Sequence, residues 1–401
     1  MQLLVQLNGD GNKMQIVHVI SGLAKASGPT KFCVRIVDHL AYLGEHVFLY
    51  VEEFGQNAEF PSSEDVSLNE FGSKFCIPGH CDVMHVHAMW IMSSHRAIVY
   101  ARKNRIPCVV SPHGMLAPWT LSHKWWKKKI AWWLYQRWDL KHTAMFHVTA
   151  PCEIEWLRKL GFKQPCVLAP LGSELPDASF VVPKHHDIRR ILFVGRVYPV
   201  KGLVNLVRAF SQVKNAAGAL GTWQVVIAGP NQAGHMGELI ALGRKLGLTV
   251  DDLSHSADSD KVTTMERSRA DIVFTGGVYG AVKDALYPLA DLFVLPSFTE
   301  SFGVVVTEAL AYGLPVITTQ GTPWQELETE DCGWWVALGV EPLKIALRNA
   351  MDLDDAARHQ MGLRGMTLVS RKYVWPVIAW QMKQAYKWLV DGGDRPDAVF
   401  L

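Results

Sequence analysis

Four charged residues stand out by type and spacing: Arg196 with Lys201, and Glu300 with Glu308. An arginine offers a planar fork of donors and a lysine a mobile point charge. Placed at one edge, the two make a clamp for a diphosphate. Carboxylates beside such a clamp would repel the same ligand unless they accept from its hydroxyl groups. If the segment between the two glutamates were helical throughout, they would stand about 12 Å apart. That is too far for the paired carboxylates of a retaining hydrolase. The expectation is two carboxylates that accept from hydroxyl groups of a phosphate-bearing ligand rather than an acid/base pair.

The elements that must position these groups can be read around them. Leu292–Leu295 is a short apolar run with the pattern of a strand buried on both faces, and Pro296–Thr299 is a turn. A helix is expected from about Ser301, carrying Glu308 and stopping at Gly313. A strand, a polar turn and a helix N-terminus form an anion site through free backbone N–H groups and the positive end of the helix dipole. Arg196 and Lys201 follow the strand Ile191–Gly195 in the same manner. Further strands are expected at Trp223–Gly229, Asp271–Gly277 and Pro315–Thr318, with a short helix at Lys283–Leu289.

The first half repeats the alternation. Gln15–Ile20 reads as a strand, Ser21–Thr30 as a loop of small residues, Lys31–Leu43 as a helix and His46–Val51 as the next strand. The loop holds Gly22 and Gly28 but no G-x-G-x-x-G, so a dinucleotide fingerprint is not supported. Its glycines either close a tight turn or let the backbone approach a ligand. Strands at Val83–His87 and Pro107–Val110 follow, the second leading into His113 just beyond a strand end, where open α/β sheets place ligands. Pro151 to about Leu160 reads as a helix with Glu153 and Glu155 in its first turn, and 171–190 as a linker. Alternating strands and helices in both halves describe two doubly wound α/β domains facing a cleft.

Cys76, His80, Cys81, His85 and His87 invite a metal reading, but they lack paired C-x2-C order, and no metal site is expected. The triplets Asp258-Ser-Asp260 and Asp352-Leu-Asp354 follow no expected strand, consistent with metal-independent chemistry. The seven scattered cysteines do not resemble a disulfide framework. A net charge of +2 gives no global argument for nucleic acid, and a soluble cytoplasmic protein is expected, without signal peptide or membrane span. The unusual stretch is 119–138, where aromatic residues and lysines alternate. On a helix, Trp126, Ile130, Trp133 and Leu134 share a face, while Lys124, Lys127 and Lys128 lie largely elsewhere. Such a face either meets an anionic bilayer at headgroup level or fills a gap between domains.

Gly195-Arg196-x4-Lys201-Gly202, then Pro-Ser-x2-Glu300-Ser-Phe-Gly-x4-Glu308-Ala, then Ala311-x-Gly313-x-Pro315-Val316, resembles the family 4 glycosyltransferases. The likeness is dense over 191–322 and looser before it. It implies the GT-B fold, an α/β architecture of two Rossmann-like doubly wound parallel-sheet domains facing an interdomain cleft. The implied domains are 1–175 for the acceptor, 186–370 for the nucleotide sugar, and a C-terminal helix in 371–401 that crosses back to the first. The implied activity is retaining transfer of a sugar from a nucleotide-diphosphate donor, a UDP- or GDP-sugar, to a saccharide or lipid-linked saccharide in cell-surface polysaccharide synthesis. No cofactor is implied.

By this resemblance Gly195, Arg196 and Lys201 hold the diphosphate, and Glu300 with Ser301 meets the donor sugar. The amides around Phe302, Gly303 and Val304 cap the phosphate, Glu308 accepts from the ribose, and Val278 borders the base. The loop at Gly28 would close on the donor, with His113 near the reacting sugar. Two departures stand in the chain: Pro170-Leu-Gly-Ser173 where the family often has Pro-Asn-Gly-Val, and Ser27-Gly-Pro in place of a double glycine. The competing readings are a phosphorylase or epimerase on the same architecture, and a sugar-nucleotide sensor or scaffold.

Overall fold

The computed structural model describes residues 13–23, 28–55, 58–117, 120–121, 125–176, 188–216 and 222–401. The chain divides into two compact units, Met1–Gly172 with Tyr373–Leu401, and Ser173–Lys372.

In the first unit the strands are β1 (Gln15–Gly22), β2 (His46–Glu53), β3 (Val66–Glu70), β4 (Val83–His87), β5 (Cys108–Ser111), β6 (Met145–Val148) and β7 (Cys166–Leu168). They pair in the order β7-β6-β5-β4-β1-β2-β3, all in parallel. Their β-branched apolar runs suit a sheet covered on both faces. Strand order reverses between β1 and β4, which makes the carboxyl ends of those strands a ligand-binding crevice. The helix Trp375–Asp391, with Pro376 in its first turn, packs on the helix Gly28–Tyr42. Lys383 Nζ fixes it to the buried Glu45 at 2.6 Å.

The second unit continues with β8 (Arg189–Val194), β9 (Trp223–Ala228), β10 (Val250–Asp252), β11 (Ile272–Gly276), β12 (Leu292–Leu295), β13 (Val316–Thr319) and β14 (Gly333–Val336). These form a sheet in the order β10-β11-β9-β8-β12-β13-β14, again parallel. Here the order reverses between β8 and β12, so the loops leaving those strands are the ones a ligand meets. A last short strand, β15 (Val399–Phe400), adds antiparallel to β7 of the first sheet.

Three expectations need correction. The helix carrying Glu308 starts at Val304, not near Ser301, because Gly303 takes a left-handed φ of 81° at its N-cap and keeps 301–303 in the loop. Only half of the Glu300–Glu308 interval is therefore helical. The helix expected at Lys283–Leu289 is split into Gly280–Asp284 and a 3-10 turn at Tyr287–Leu289, since Pro288 has no N–H to donate to a continuous α-helix. The helix expected from Lys31 already begins at Gly28, so Gly28 opens a helix. Residues 24–27 of the expected loop, Lys124, and 177–187 of the expected linker lie outside the described residues.

Candidate active site

The second unit's site is built at its strand-order reversal. After β8, Pro199–Lys201 form a 3-10 turn that ends on Gly202 at φ 67°. A Cβ there would lie 2.0 Å from the Pro296 carbonyl oxygen, so only glycine lets the two loops touch. Phe298 N–H donates to the Val200 carbonyl at 2.8 Å and closes the contact. The result places the Lys201 ammonium against Glu300 Oε1 as an ion pair, each side chain about one-seventh exposed. Ser297 Oγ donates to the same carboxylate oxygen at 2.8 Å. The start of the helix Val304–Ala311 stands immediately beyond, where the first amides have no intrahelical acceptor. Trp324 Nε1 donates to the Phe302 carbonyl at 2.5 Å and holds the approach to that helix.

Arg196 is exposed and donates to Gln232 Oε1 at 3.0 Å, so it is not gathered into the Lys201–Glu300 pair. Glu308 belongs to a separate cluster: Lys283 Nζ at 2.9 Å on Oε1 and the Tyr287 hydroxyl at 2.7 Å on Oε2. Burial, reinforced by the Glu308 charge, pushes the Tyr287 phenol well above its usual range, so it remains a donor. The two carboxylates thus serve distinct neighbourhoods. Val278 is buried directly after Gly276 and Gly277. Those glycines, with Pro230, Asn231, Asp252 and His255, line a cavity of about 480 Å³ at the ends of β9, β10 and β11.

The first unit holds a different kind of polar group. His18, His85, His87 and His147 are fully buried, and their sheet register places them on one face with Ser111. Proton parity orders one chain of bonds. His147 Nε2 donates to the Ala169 carbonyl at 2.7 Å, since a carbonyl only accepts. His147 Nδ1 then accepts from Ser111 Oγ at 2.6 Å, Ser111 Oγ accepts from His85 Nε2 at 2.5 Å, and His85 Nδ1 accepts from the Tyr386 hydroxyl at 2.5 Å. A second chain runs from His113 Nε2 to His87 Nδ1 at 3.3 Å and from His87 Nε2 to His18 Nδ1 at 2.9 Å. It ends at His18 Nε2, a buried nitrogen with no partner among the described residues.

Burial holds these imidazoles neutral: His18 and His113 are lowered to about 3, His147 to about 4, and His85 and His87 well below 6.5. Donor atoms of His18, Cys33 and His87 come within 4.8 Å of one another. His18 Nδ1 and His87 Nε2 already bond each other, so the group reads as a hydrogen-bonded seam. His113 sits at φ 48° after β5, and the following Gly114 N–H donates to the buried Glu153 carboxylate at 3.1 Å.

Sequence reasoning brought out Lys201, Glu300 and Glu308 but missed Ser297, Gln232, Lys283 and Tyr287, which bond the named charges. No spacing rule announces them. It also missed the extent of the histidine seam, whose signal was there: single histidines alternating with apolar residues in β1, β4 and β6. The metal reading at Cys76, His80 and Cys81 is answered by His80, exposed and bonded to Asp82 at 2.8 Å, while His85 and His87 point into the seam.

The architecture is that of the GT-B fold. A sucrose-phosphate synthase from Thermosynechococcus elongatus superposes with a TM-score of 0.67 at 20% identity, over 95% of this chain and 100% of that one. An Anabaena protein solved in complex with UDP and glucose gives 0.64 at 15% identity, over 93% and 99%. Residues 176–365 match the family described as glycosyl transferases group 1, and 79–172 match the glycosyl transferase 4-like domain. The chain belongs to this glycosyltransferase family. Among curated relatives, a D-inositol 3-phosphate glycosyltransferase of Salinispora tropica is 29% identical over 52% of this chain and 38% of its own length. A lipopolysaccharide 1,2-N-acetylglucosaminetransferase of Salmonella typhimurium is 25% identical over 50% and 49%. The alignments thus span less than half of either relative.

Proposed function

We propose that the protein transfers a sugar, with retention of anomeric configuration, from a UDP- or GDP-sugar to a saccharide or lipid-linked saccharide during assembly of a cell-surface polysaccharide. The observation that carries this reading is the Lys201–Glu300 pair at the strand-order reversal, beside a helix N-terminus. Without ligand, the cation and the carboxylate neutralise each other. A diphosphate would compete for Lys201 and free Glu300 to accept from the sugar's hydroxyls, so one ion pair serves both halves of the donor. Arg196 would leave Gln232 to complete the clamp, with Gly195 behind it. The amides at Gly303 and Val304, beside Ser301 and Phe302, would take the remaining phosphate oxygens.

As the glycosidic bond breaks, negative charge builds on the leaving diphosphate and the sugar becomes oxocarbenium-like. A fixed lysine and fixed amides stabilise that charge without reorganising. A leaving phosphate oxygen can then take the acceptor's proton on the same face, so the scheme asks for no protein nucleophile and no cofactor. Glu308, held by Lys283 and Tyr287, suits the ribose hydroxyls, and the cavity beside Val278 suits the base. His113 is assigned to the reacting sugar, and Gly28 to the edge of the donor site. The UDP and glucose bound by the Anabaena neighbour, and the lipopolysaccharide named for the Salmonella relative, support the donor and pathway classes.

A thermal-shift series with UDP, GDP and ADP tests the donor site, since a ligand that binds only the folded chain raises its melting temperature. Stabilisation by UDP or GDP is expected. No shift with any nucleoside diphosphate would sink the assignment, and an inverted anomer in the product would remove the retaining mechanism.

A further inference from the structure

The segment expected to be one helix near 123–138 consists of the helix Trp125–Ala131, a π-helical turn Trp132–Gln136 and the helix Arg137–Lys141. Leu140 and half-buried Trp132 pack inward as in an ordinary surface helix, but its outer face is also apolar. Towards the protein it also buries polar groups: Gln136 Oε1 accepts from the Trp90 N–H at 2.7 Å, and Asp139 accepts from His95 Nδ1 at 2.8 Å. Outwards it presents Trp126 at 54% exposure, Ile130 at 54%, Trp133 at 68%, Leu134 at 75% and Trp138 at 54%. Water-soluble helices keep their outer face polar, and contiguous exposed apolar surface of this kind marks an interaction site.

The charges around it select the partner. Lys127, Lys129 and Arg137 are exposed on the same segment, and Arg102 lies over the Trp138 ring at 5.4 Å. Asp139 is the sole acidic residue between 111 and 152, and it is buried beneath. Lys127 also reaches over the Trp126 ring at 5.3 Å and Arg137 over Trp133 at 5.5 Å, so cations and indoles form one mixed surface. Indoles favour the headgroup level of a bilayer, and basic side chains beside them favour anionic lipid. No helix among the described residues is long and apolar enough to cross a membrane.

We propose that residues 126–138 form a face that lies in the interface of an anionic bilayer, with Trp126, Ile130, Trp133, Leu134 and Trp138 inserted and Lys127, Lys129 and Arg137 at the headgroups. A protein partner of ordinary composition would leave the cations uncompensated, and a second copy would bring like charges together. The proposal names where the chain would meet a lipid-linked acceptor, yet it stands on the segment alone and is tested apart from the transfer reaction.

The test is flotation of the full chain with vesicles of phosphatidylglycerol and phosphatidylethanolamine, against vesicles of phosphatidylcholine. Binding to the anionic vesicles is expected, with a blue shift of tryptophan emission and weakening by salt. Trp133→Glu combined with Leu134→Glu should abolish it. Lys127→Gln with Lys129→Gln should weaken it by about thirtyfold, the scale of two basic groups leaving an anionic surface. Melting temperatures close to wild type, and an unchanged shift with nucleoside diphosphate, would show that both variants are folded and that the donor site is untouched. Failure of the wild-type chain to bind anionic vesicles would overturn the proposal. So would self-association that the Trp133→Glu, Leu134→Glu variant removes in the absence of lipid.

Discussion

The histidine seam of the first unit and the ion pairs of the second are both polar clusters near the carboxyl ends of parallel strands, but they solve opposite problems. The seam is buried, neutral and largely closed on itself: each polar side-chain atom linking Tyr386 to Ala169 has an assigned role as donor or acceptor. The pairs Lys201–Glu300 and Lys283–Glu308 are partly exposed and charged, and under the proposed function a ligand would compete for their members. Closed networks hold a fold in one arrangement, whereas exchangeable pairs keep a site charged and ready. The first should therefore report on stability and the second on binding.

The sharpest way to break the contrast is Glu300→Ala, which is expected to abolish sugar transfer while leaving the fold intact. Measurement of product formation beside a melting curve separates the two, and wild-type turnover would mean that the site lies elsewhere. Lys201→Ala comes next, with nucleoside diphosphate affinity falling by about 1.5–3 kcal/mol in a titration, the scale of charge-assisted hydrogen bonds.

On the closed side, Ser111→Ala strands a donor on His85 and an acceptor on His147. It should cost about 1–3 kcal/mol in urea unfolding, while nucleotide affinity stays near wild type. Equal losses of affinity and stability would erase the distinction. Acid offers a further test. The seam's histidines have folded pKa values below 6.5, so the unfolded chain binds more protons as pH falls. Their stabilisation is complete above pH 6.5 and is lost as pH drops towards about 4 for His147 and about 3 for His18 and His113. The slope is about 1.4 kcal/mol per pH unit for each histidine in that window. The urea midpoint should fall steeply over it, and a flat profile would contradict a neutral buried seam. The smallest effect expected is that of Tyr386→Phe, which removes one terminal donor and costs about 1 kcal/mol.

The sequence carried more of the second unit's site than of the first's. Arg196, Lys201, Glu300 and Glu308 could be singled out because charge is conspicuous beside an apolar strand and a turn. The parallel α/β class was readable from the strand and helix periods alone. The places where reading fell short share a cause. The helix near Glu308 starts three residues late because of one left-handed glycine, and backbone sign is not encoded by hydrophobic period. Lys283 and Tyr287 reach Glu308 only through the crossing of two segments.

What the sequence determined by itself is therefore local: apolar runs that must be strands, turns that Pro and Gly impose, and the type of charge each loop offers. Tertiary structure alone decided the pairings. Gly202 meets the Pro296 carbonyl, and so Lys201 meets Glu300. Tyr386 reaches His85 from 301 residues away, and so a row of lone histidines becomes one ordered chain. Trp126, Trp133 and Trp138 face outward while Gln136 and Asp139 find their partners inside and Trp132 packs on Phe162. Each outcome depends on which loops and faces the packed sheets bring within hydrogen-bonding distance, and residue spacing along one segment does not contain that distance.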